Sequence, residues 1–191
     1  MMKPTEILSQ EHRVIERVLD CLEIMADQAQ RQQQIDTQAA AEAIDFFRHF
    51  ADGCHHAKEE NQLFPAMQRK GFSPDTGPVA VMLYEHTVGR EAVRGMQREV
   101  DAQGKGDPQA AERFVEHARR FIPLLREHIE KEDHCLFAMA DQAFSEEDQA
   151  ELLERFAEAE REVIGEATKQ KYIDLASRLA QRYELPAPWP T

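Results

Sequence analysis

Four successive segments of the chain carry an apolar stripe with steps of three and four residues, the spacing of a buried face on an α-helix. Capping residues, proline and glycine separate the segments, and none shows the alternation of a β-strand. Four amphipathic helices joined by short loops are typical of an up-down four-helix bundle, so we predict an all-α fold. The expected helices run from Pro4 and Thr5 to about residue 30, from Asp36 and Thr37 to Gly71, from Gly77 and Pro78 to about Gly104, and from Asp107 and Pro108 to about residue 142.

Two additional C-terminal helices are expected after the bundle. The run from Ser145 to Asp148 resembles a capping box, Gly165 separates the two helices, and the second helix ends near Tyr183. We expect these helices to pack on the bundle or to form the surface of a homodimer. The predicted organisation is a four-helix bundle over residues 1–144, a helical extension over 145–184 and a proline-rich tail over 185–191.

The apolar stripes are interrupted where histidine and glutamate occupy core positions. The second stripe continues through Gln62 and the fourth through Cys135. An unpaired carboxylate in a protein core is costly and either takes up a proton or finds a partner. A pair of metal ions would explain all of these histidines and glutamates together. The candidate metal ligands are His12 on the first helix, His55 and Glu59 on the second, His86 on the third, and His128 and Glu132 on the fourth.

Two of the helices repeat one arrangement, a histidine with a glutamate four residues later. Residues at i and i+4 lie on the same face of a helix, so an imidazole and a carboxylate there converge on one point. Inward-facing histidines and glutamates on opposed helices build the di-iron and di-manganese sites of helical bundles. The two pairs, His55 with Glu59 and His128 with Glu132, also share their distance to a following Leu-Phe.

The same spacing also occurs elsewhere, so it does not identify a site by itself. His12 and Glu16 show it, as do His56 and Glu60. The second of these pairs lies one residue beyond the stripe, a rotation of about 100° towards the flank of the helix. We therefore rank His56 and Glu60 below the six candidates and expect them beside the site or in solvent.

Composition excludes several classes of protein. The formal charge of −13 argues against nucleic acid or an anionic membrane as a partner, because both require a positive surface. No run approaches the roughly 20 apolar residues of a membrane span, and no signal peptide is recognisable, so we expect a cytoplasmic protein. Cys21, Cys54 and Cys135 lack a Cys-x-x-Cys spacing and are expected to be buried free thiols.

These histidine and glutamate motifs resemble those of the hemerythrin-like (HHE) cation-binding family over about residues 5 to 142. They agree with the family in their order along the chain, in the helix that carries each motif and in their spacing. The resemblance implies a four-helix bundle around a non-haem di-iron centre with an oxo or hydroxo bridge. It implies that the four histidines are terminal ligands and that both glutamates bridge the irons. The matching motifs are His12, His55-x3-Glu59 with Leu63-Phe64-Pro65, Glu85-His86, and His128-x3-Glu132 with Leu136-Phe137.

The chain departs from the oxygen-carrying hemerythrins at two positions. Those proteins place two histidines four residues apart on the third helix, whereas Met82 stands four residues before His86 here. They also bridge with an aspartate five residues after the last histidine, whereas Glu132 stands four after His128. One iron would lack a protein nitrogen unless His56, water or another side chain supplies a ligand. Redox chemistry at an open coordination site is favoured over reversible oxygen carriage.

Three functional hypotheses follow. The first is a di-iron protein that binds or senses O2 or a related small ligand, NO or peroxide. The second is a di-iron enzyme that consumes peroxide or NO or oxidises ferrous iron. The third is a regulatory or scaffolding bundle with a structural metal, manganese or zinc. Six ligands with two carboxylates favour iron or manganese over a four-coordinate structural zinc site.

Overall fold

A computed structural model describes residues 2–161 and 166–186, and within these ranges every regular element is helical. The predicted all-α class is therefore confirmed. None of the helices in these ranges has the combination of length and apolarity that crossing a membrane requires. The elements are α1 (Pro4–Gln32), α2 (Thr37–Phe46), α3 (Phe64–Arg69), α4 (Pro78–Gly104), α5 (Ala110–Lys131), α6 (Phe137–Ala143), α7 (Glu146–Ala159) and α8 (Glu166–Arg182), with π-helical segments at Phe47–His56, Glu59–Leu63 and Glu132–Leu136.

Four helices form the bundle. The first is α1 and the third is α4. The second bundle helix, residues 37–69, is continuous through α2, two π-helical segments and α3, and the fourth, residues 110–143, is continuous through α5, one π-helical segment and α6. The first helix contacts the fourth, the fourth contacts the third, the third contacts the second, and the second contacts the first. The bundle is therefore a closed ring of helices with one shared interior.

The helix boundaries follow the capping signals of the sequence with one exception. Asp36 accepts a hydrogen bond from the first turn of α2, and Ser145 and Asp148 form the reciprocal bonds of a capping box. The expected start at Asp107 is wrong, because α5 begins at Ala110. The carboxylate of Asp107 instead accepts a bond from the backbone two residues later, which makes a turn before the helix.

The π-helical segments lie at the candidate ligands and change which residues face the core. A π-helical turn contains an extra residue, so the buried stripe after it moves along by one position. The sequence pattern predicts Gln62 and Cys135 in the core, whereas the structure buries Leu63 and Leu136 in their place. Cys135 is exposed, so the prediction of a buried thiol is wrong there, while the other two cysteines are buried.

Two apolar clusters fill the interior, and the candidate ligands lie between them. The larger cluster includes Ile15, Val93 and Leu125 on one side of the ligands. The smaller includes Leu8 and Met82 on the other side. The candidate ligands thus form a polar layer between two apolar parts of the bundle interior.

The C-terminal helices pack on the bundle. Leu152 and Phe156 of α7 belong to the smaller cluster, and Leu175 and Leu179 of α8 belong to the larger one. The predicted break at Gly165 and residues 187–191 of the predicted tail lie outside the described residues.

Candidate metal centre

All six candidate ligands meet in the polar layer, and each is at most 2% exposed. They fall into two groups, and in each group the possible ligand atoms lie within 4.8 Å of one another. That separation is close to twice a metal–nitrogen bond of about 2.0–2.1 Å, so one ion could reach every member of a group. The first group contains His12, His55, Glu59 and Glu132, and the second contains His56, Glu59, His86 and His128.

Two carboxylates connect the groups. Glu59 places one oxygen 3.4 Å from Nε2 of His55 and the other 3.4 Å from Nε2 of His86. Glu132 places its Oε2 3.2 Å from Nε2 of His12 and 3.3 Å from Nε2 of His128. Each glutamate therefore lies between a histidine of one group and a histidine of the other, which is where a bridging ligand has to be.

Four histidines are oriented by carboxylates from a neighbouring helix. In each, Nδ1 contacts a carboxylate oxygen, which leaves Nε2 facing the interior of the bundle. Such a contact fixes the tautomer and makes the inward nitrogen a better metal ligand. The pairs are His12 with Asp133 at 2.8 Å, His55 with Glu11 at 3.1 Å, His86 with Glu60 at 2.6 Å, and His128 with Glu85 at 3.0 Å.

These four contacts connect each bundle helix to the next, all the way round the bundle. The first helix receives a carboxylate from the fourth, the fourth from the third, the third from the second, and the second from the first. Every bundle helix thus supplies one imidazole that is oriented in this way and one carboxylate that orients its neighbour's imidazole. The position of each inward nitrogen depends on the relative placement of two helices.

His56 is more central than its place in the sequence suggests. His56 is 7% exposed and belongs to the second group of candidate ligands, and its ring stacks on that of His86 with 3.9 Å between the centroids. The expectation that it points to the flank is wrong, because the π-helical segment Phe47–His56 widens the turn and lets adjacent histidines both face inward. His56 therefore adds a third imidazole to the group that contains His86 and His128.

Glu60 lies outside both groups. Its carboxylate is half-buried and accepts bonds from Nδ1 of His86 and, at 2.7 Å, from the guanidinium of Arg90. The structure thus places it beside the site, as its position one residue beyond the stripe predicts. Glu16, which shares the spacing with His12, instead pairs with Arg13 at 2.7 Å.

The polar layer contains buried atoms that the described residues leave without hydrogen bonds. These are Nε2 of His12 and His55, Nδ1 of His56, and all four carboxylate oxygens of Glu59 and Glu132. Each such atom costs about 1–3 kcal/mol when nothing satisfies it. Cations between the two groups would satisfy the inward nitrogens and oxygens together. This donor set of nitrogen and oxygen atoms fits iron or manganese.

The pKa values show how the layer balances charge without a cation. Burial and the neighbouring Glu132 raise the pKa of Glu59 to about 8. Burial disfavours the charged forms of His12 and His128, but carboxylate contacts outweigh it and raise their pKa values to about 9 and about 10. Burial and the charge of His12 lower the pKa of His55 to about 3. The layer therefore holds protons that metal binding would release.

Sequence reasoning missed the carboxylates that orient the histidines. Glu11, Glu85 and Asp133 each stand next to a candidate ligand in the sequence, but each contacts a histidine on a different helix. Their adjacency to ligands is a signal that the sequence contains. Their partners are set by the packing of the helices.

A buried charge cluster connects the site to the C-terminal helices. Lys58 is only 2% exposed and donates hydrogen bonds to Glu11 and, at 2.8 Å, to Glu160 at the end of α7. Lys169 of α8 contacts the same two carboxylates at 2.9 and 2.6 Å. Because Glu11 also holds His55, the C-terminal helices contact the residue that orients a candidate ligand.

Comparison with known proteins identifies a family and distant relatives. The sequence model described as hemerythrin HHE cation binding domain matches residues 3–140. Uncharacterised proteins of Mycobacterium tuberculosis and Mycobacterium bovis are 25% identical to this chain over 173 residues. The match covers 88% of this chain and 66% of each relative, so the chain spans slightly less than two thirds of their length. No solved structure gives a significant match.

Proposed function

Because the chain belongs to the hemerythrin HHE cation-binding family, we propose that its polar layer holds two iron ions and that this centre binds or senses O2 or a related small ligand, NO or peroxide. Seven side chains would hold the ions, with Glu59 and Glu132 shared between them. The remaining ligands would be His12 and His55 for one ion and His56, His86 and His128 for the other.

One observation carries the proposal, the placement of both carboxylates between the two histidine groups. Each glutamate lies within 3.4 Å of a histidine from either group, and none of its oxygens has a hydrogen-bond donor among the described residues. A structural zinc site needs four ligands and no bridge. Two bridging carboxylates with five imidazoles fit a pair of octahedral ions better.

The surrounding residues support small-molecule chemistry. The carboxylates on Nδ1 of four histidines fix the tautomer of each ring and hold the inward nitrogen in position. The two apolar clusters flank the layer on both sides and give the ions an environment of low polarity. When bound there, ferrous ions would supply electrons and open coordination positions to a small ligand.

Anaerobic loading with ferrous iron followed by air tests the proposal. We expect about two iron atoms per chain and new absorption bands on oxidation. His128→Ala should lose at least one iron, whereas His134→Ala, which removes an exposed histidine of the same helix, should bind iron like the wild type. A colourless protein with only trace iron would contradict a di-iron centre, and retention of zinc in its place would support the structural-metal hypothesis.

A cavity that reaches the second group favours the enzymatic alternative as a second candidate function. Its inner end is formed by His56, His86 and His128, so a substrate could approach one ion from the outside. Sustained consumption of peroxide or NO, lost in His128→Ala and kept in His134→Ala, would establish turnover. A single stoichiometric reaction with each ligand would leave binding or sensing as the function.

A further inference from the structure

A cavity of about 240 Å³ lies between the second bundle helix, α4 and the fourth bundle helix. We call it the access cavity. Its inner end is formed by the three buried histidines of the second ligand group. Its walls are mostly apolar, with Phe47, Val93, Phe121, Leu124 and Leu125 among them. The two acidic lining residues are already paired, Asp52 with Arg90 and Glu85 with Lys131.

The access cavity is larger than a diatomic ligand needs. An engineered apolar cavity of about 150 Å³ holds benzene, a molecule of six non-hydrogen atoms. At the same volume per atom, about 240 Å³ holds roughly ten non-hydrogen atoms. The cavity therefore has room for an organic molecule beside the candidate centre.

The outer end of the cavity carries positive charge. Arg48 and Arg94 line it and are exposed, whereas the histidines at the other end are buried. Among the described residues neither guanidinium lies within 4.0 Å of a carboxylate, whereas the third lining arginine, Arg90, is bonded to Asp52 and Glu60. In a chain with a formal charge of −13, two uncommitted guanidiniums at one opening favour an anionic group there.

We propose that the access cavity binds an organic monocarboxylate of about ten non-hydrogen atoms, with its carboxylate at Arg48 and Arg94 and its apolar body directed towards His56, His86 and His128. The apolar walls exclude a ligand that is charged along its length. The two guanidiniums distinguish a carboxylate from a neutral or cationic head group. The proposal goes beyond the metal centre, since the walls and the arginines are not candidate metal ligands.

Gly89 provides the room on the α4 side of the cavity. It is one turn beyond His86, and a Cβ at this position would lie 3.6 Å from the ring of Phe121, an ordinary contact. A larger side chain there would extend into the space beside the histidines. Gly89→Ala should therefore fold normally, and Gly89→Leu should fill part of the cavity.

Calorimetric titration of the full chain with octanoate tests the proposal, because octanoate has ten non-hydrogen atoms, a chain of seven apolar carbons and one carboxylate. We expect one molecule per chain, bound about tenfold more tightly than 1-octanol, since a hydrogen bond to a charged group contributes about one tenfold step or more. Octyltrimethylammonium should bind more weakly than octanol. Equal affinity for octanoate and octanol would overturn the proposal.

Three variants locate the site. The double variant Arg48→Gln/Arg94→Gln should reduce octanoate affinity to that of octanol, and both positions are exposed, so folding is not at risk. The matched double variant Arg31→Gln/Arg178→Gln removes two exposed arginines that do not line the cavity and should keep wild-type affinity. Gly89→Leu should abolish binding of both octanoate and octanol. Undiminished octanoate binding in the Arg48→Gln/Arg94→Gln variant would refute the assignment.

Repeating the titration after chelator treatment separates this proposal from the metal centre. Octanoate binding that survives chelation and depends on the two arginines supports the access cavity even if the protein holds no iron. Binding that requires loaded metal and ignores the arginines would mean that the carboxylate coordinates the metal, and it would overturn the proposed orientation.

Discussion

Replacing Lys58 with methionine should strongly destabilise the protein. Lys58 is 2% exposed, and its ammonium lies with Lys169 between the carboxylates of Glu11 and Glu160, so the cluster is neutral. Methionine keeps the apolar stem but leaves one uncompensated negative charge among buried groups. Removing one partner of a buried ion pair costs about 3–5 kcal/mol.

Lys169 limits the loss of stability in Lys58→Met. Its ammonium remains within 2.9 Å of both carboxylates, so we expect the lower end of the range, about 3 kcal/mol. For a chain of this size, each kcal/mol lowers the melting temperature by about 2–4 °C, which gives about 6–12 °C. Thermal unfolding followed by circular dichroism measures this shift.

Lys3→Met is the matched control. Lys3 pairs with Asp141 at 2.8 Å, but its side chain is 42% exposed, and exposed pairs contribute about 0–1 kcal/mol. Lys58→Met/Glu160→Gln restores neutrality in the buried cluster and should recover part of the lost stability. If Lys58→Met melts no lower than Lys3→Met, the reasoning about buried charge is refuted.

The pH dependence of the same variant gives an independent check. Burial would raise the pKa of Glu11, but Lys58 and His55 outweigh it and hold the pKa well below its ordinary value of 4.5. A depressed carboxylate pKa stabilises the fold above 4.5, and this contribution is lost as pH falls through the folded-state pKa. The stability difference between wild type and Lys58→Met should therefore narrow below about pH 4.5. If the stability difference between wild type and Lys58→Met stays constant down to pH 3, the assignment of a depressed pKa to Glu11 is contradicted.

Three further predictions concern the site and its helices. Glu85→Gln should weaken metal binding about 10- to 100-fold in competition with a chelator, because the carboxylate orients His128, and unchanged affinity would count against that role. Gly95→Ala should lower the free energy of unfolding in urea by about 1–3 kcal/mol, since the added Cβ would lie 2.6 Å from the ring of His117. In the control Gly104→Ala, the added Cβ would have no atom within 4 Å, so the free energy of unfolding should not fall. Chelation should lower the melting temperature if the native state binds metal, and an unchanged value would argue against a bound ion.

The sequence indicated the ligands because their chemistry and spacing are local properties. His55 and Glu59, like His128 and Glu132, share a helix face whatever the rest of the chain does. These four residues are only 0–1% exposed, as their positions in the apolar stripes predict. The role of His56 could not be predicted in the same way, because an ideal α-helix places it on the flank and only the π-helical segment turns it inward.

By itself, the sequence determined the helices, most of their capping residues and the six polar core residues first taken as candidate ligands, since each of these depends on neighbours a few residues apart. The tertiary structure alone decided which carboxylate orients which histidine, how Lys58 and Lys169 join the C-terminal helices to Glu11, and where the access cavity opens. These features join residues that are far apart in the chain. Their distances are set by how whole helices pack, and no local pattern records that packing.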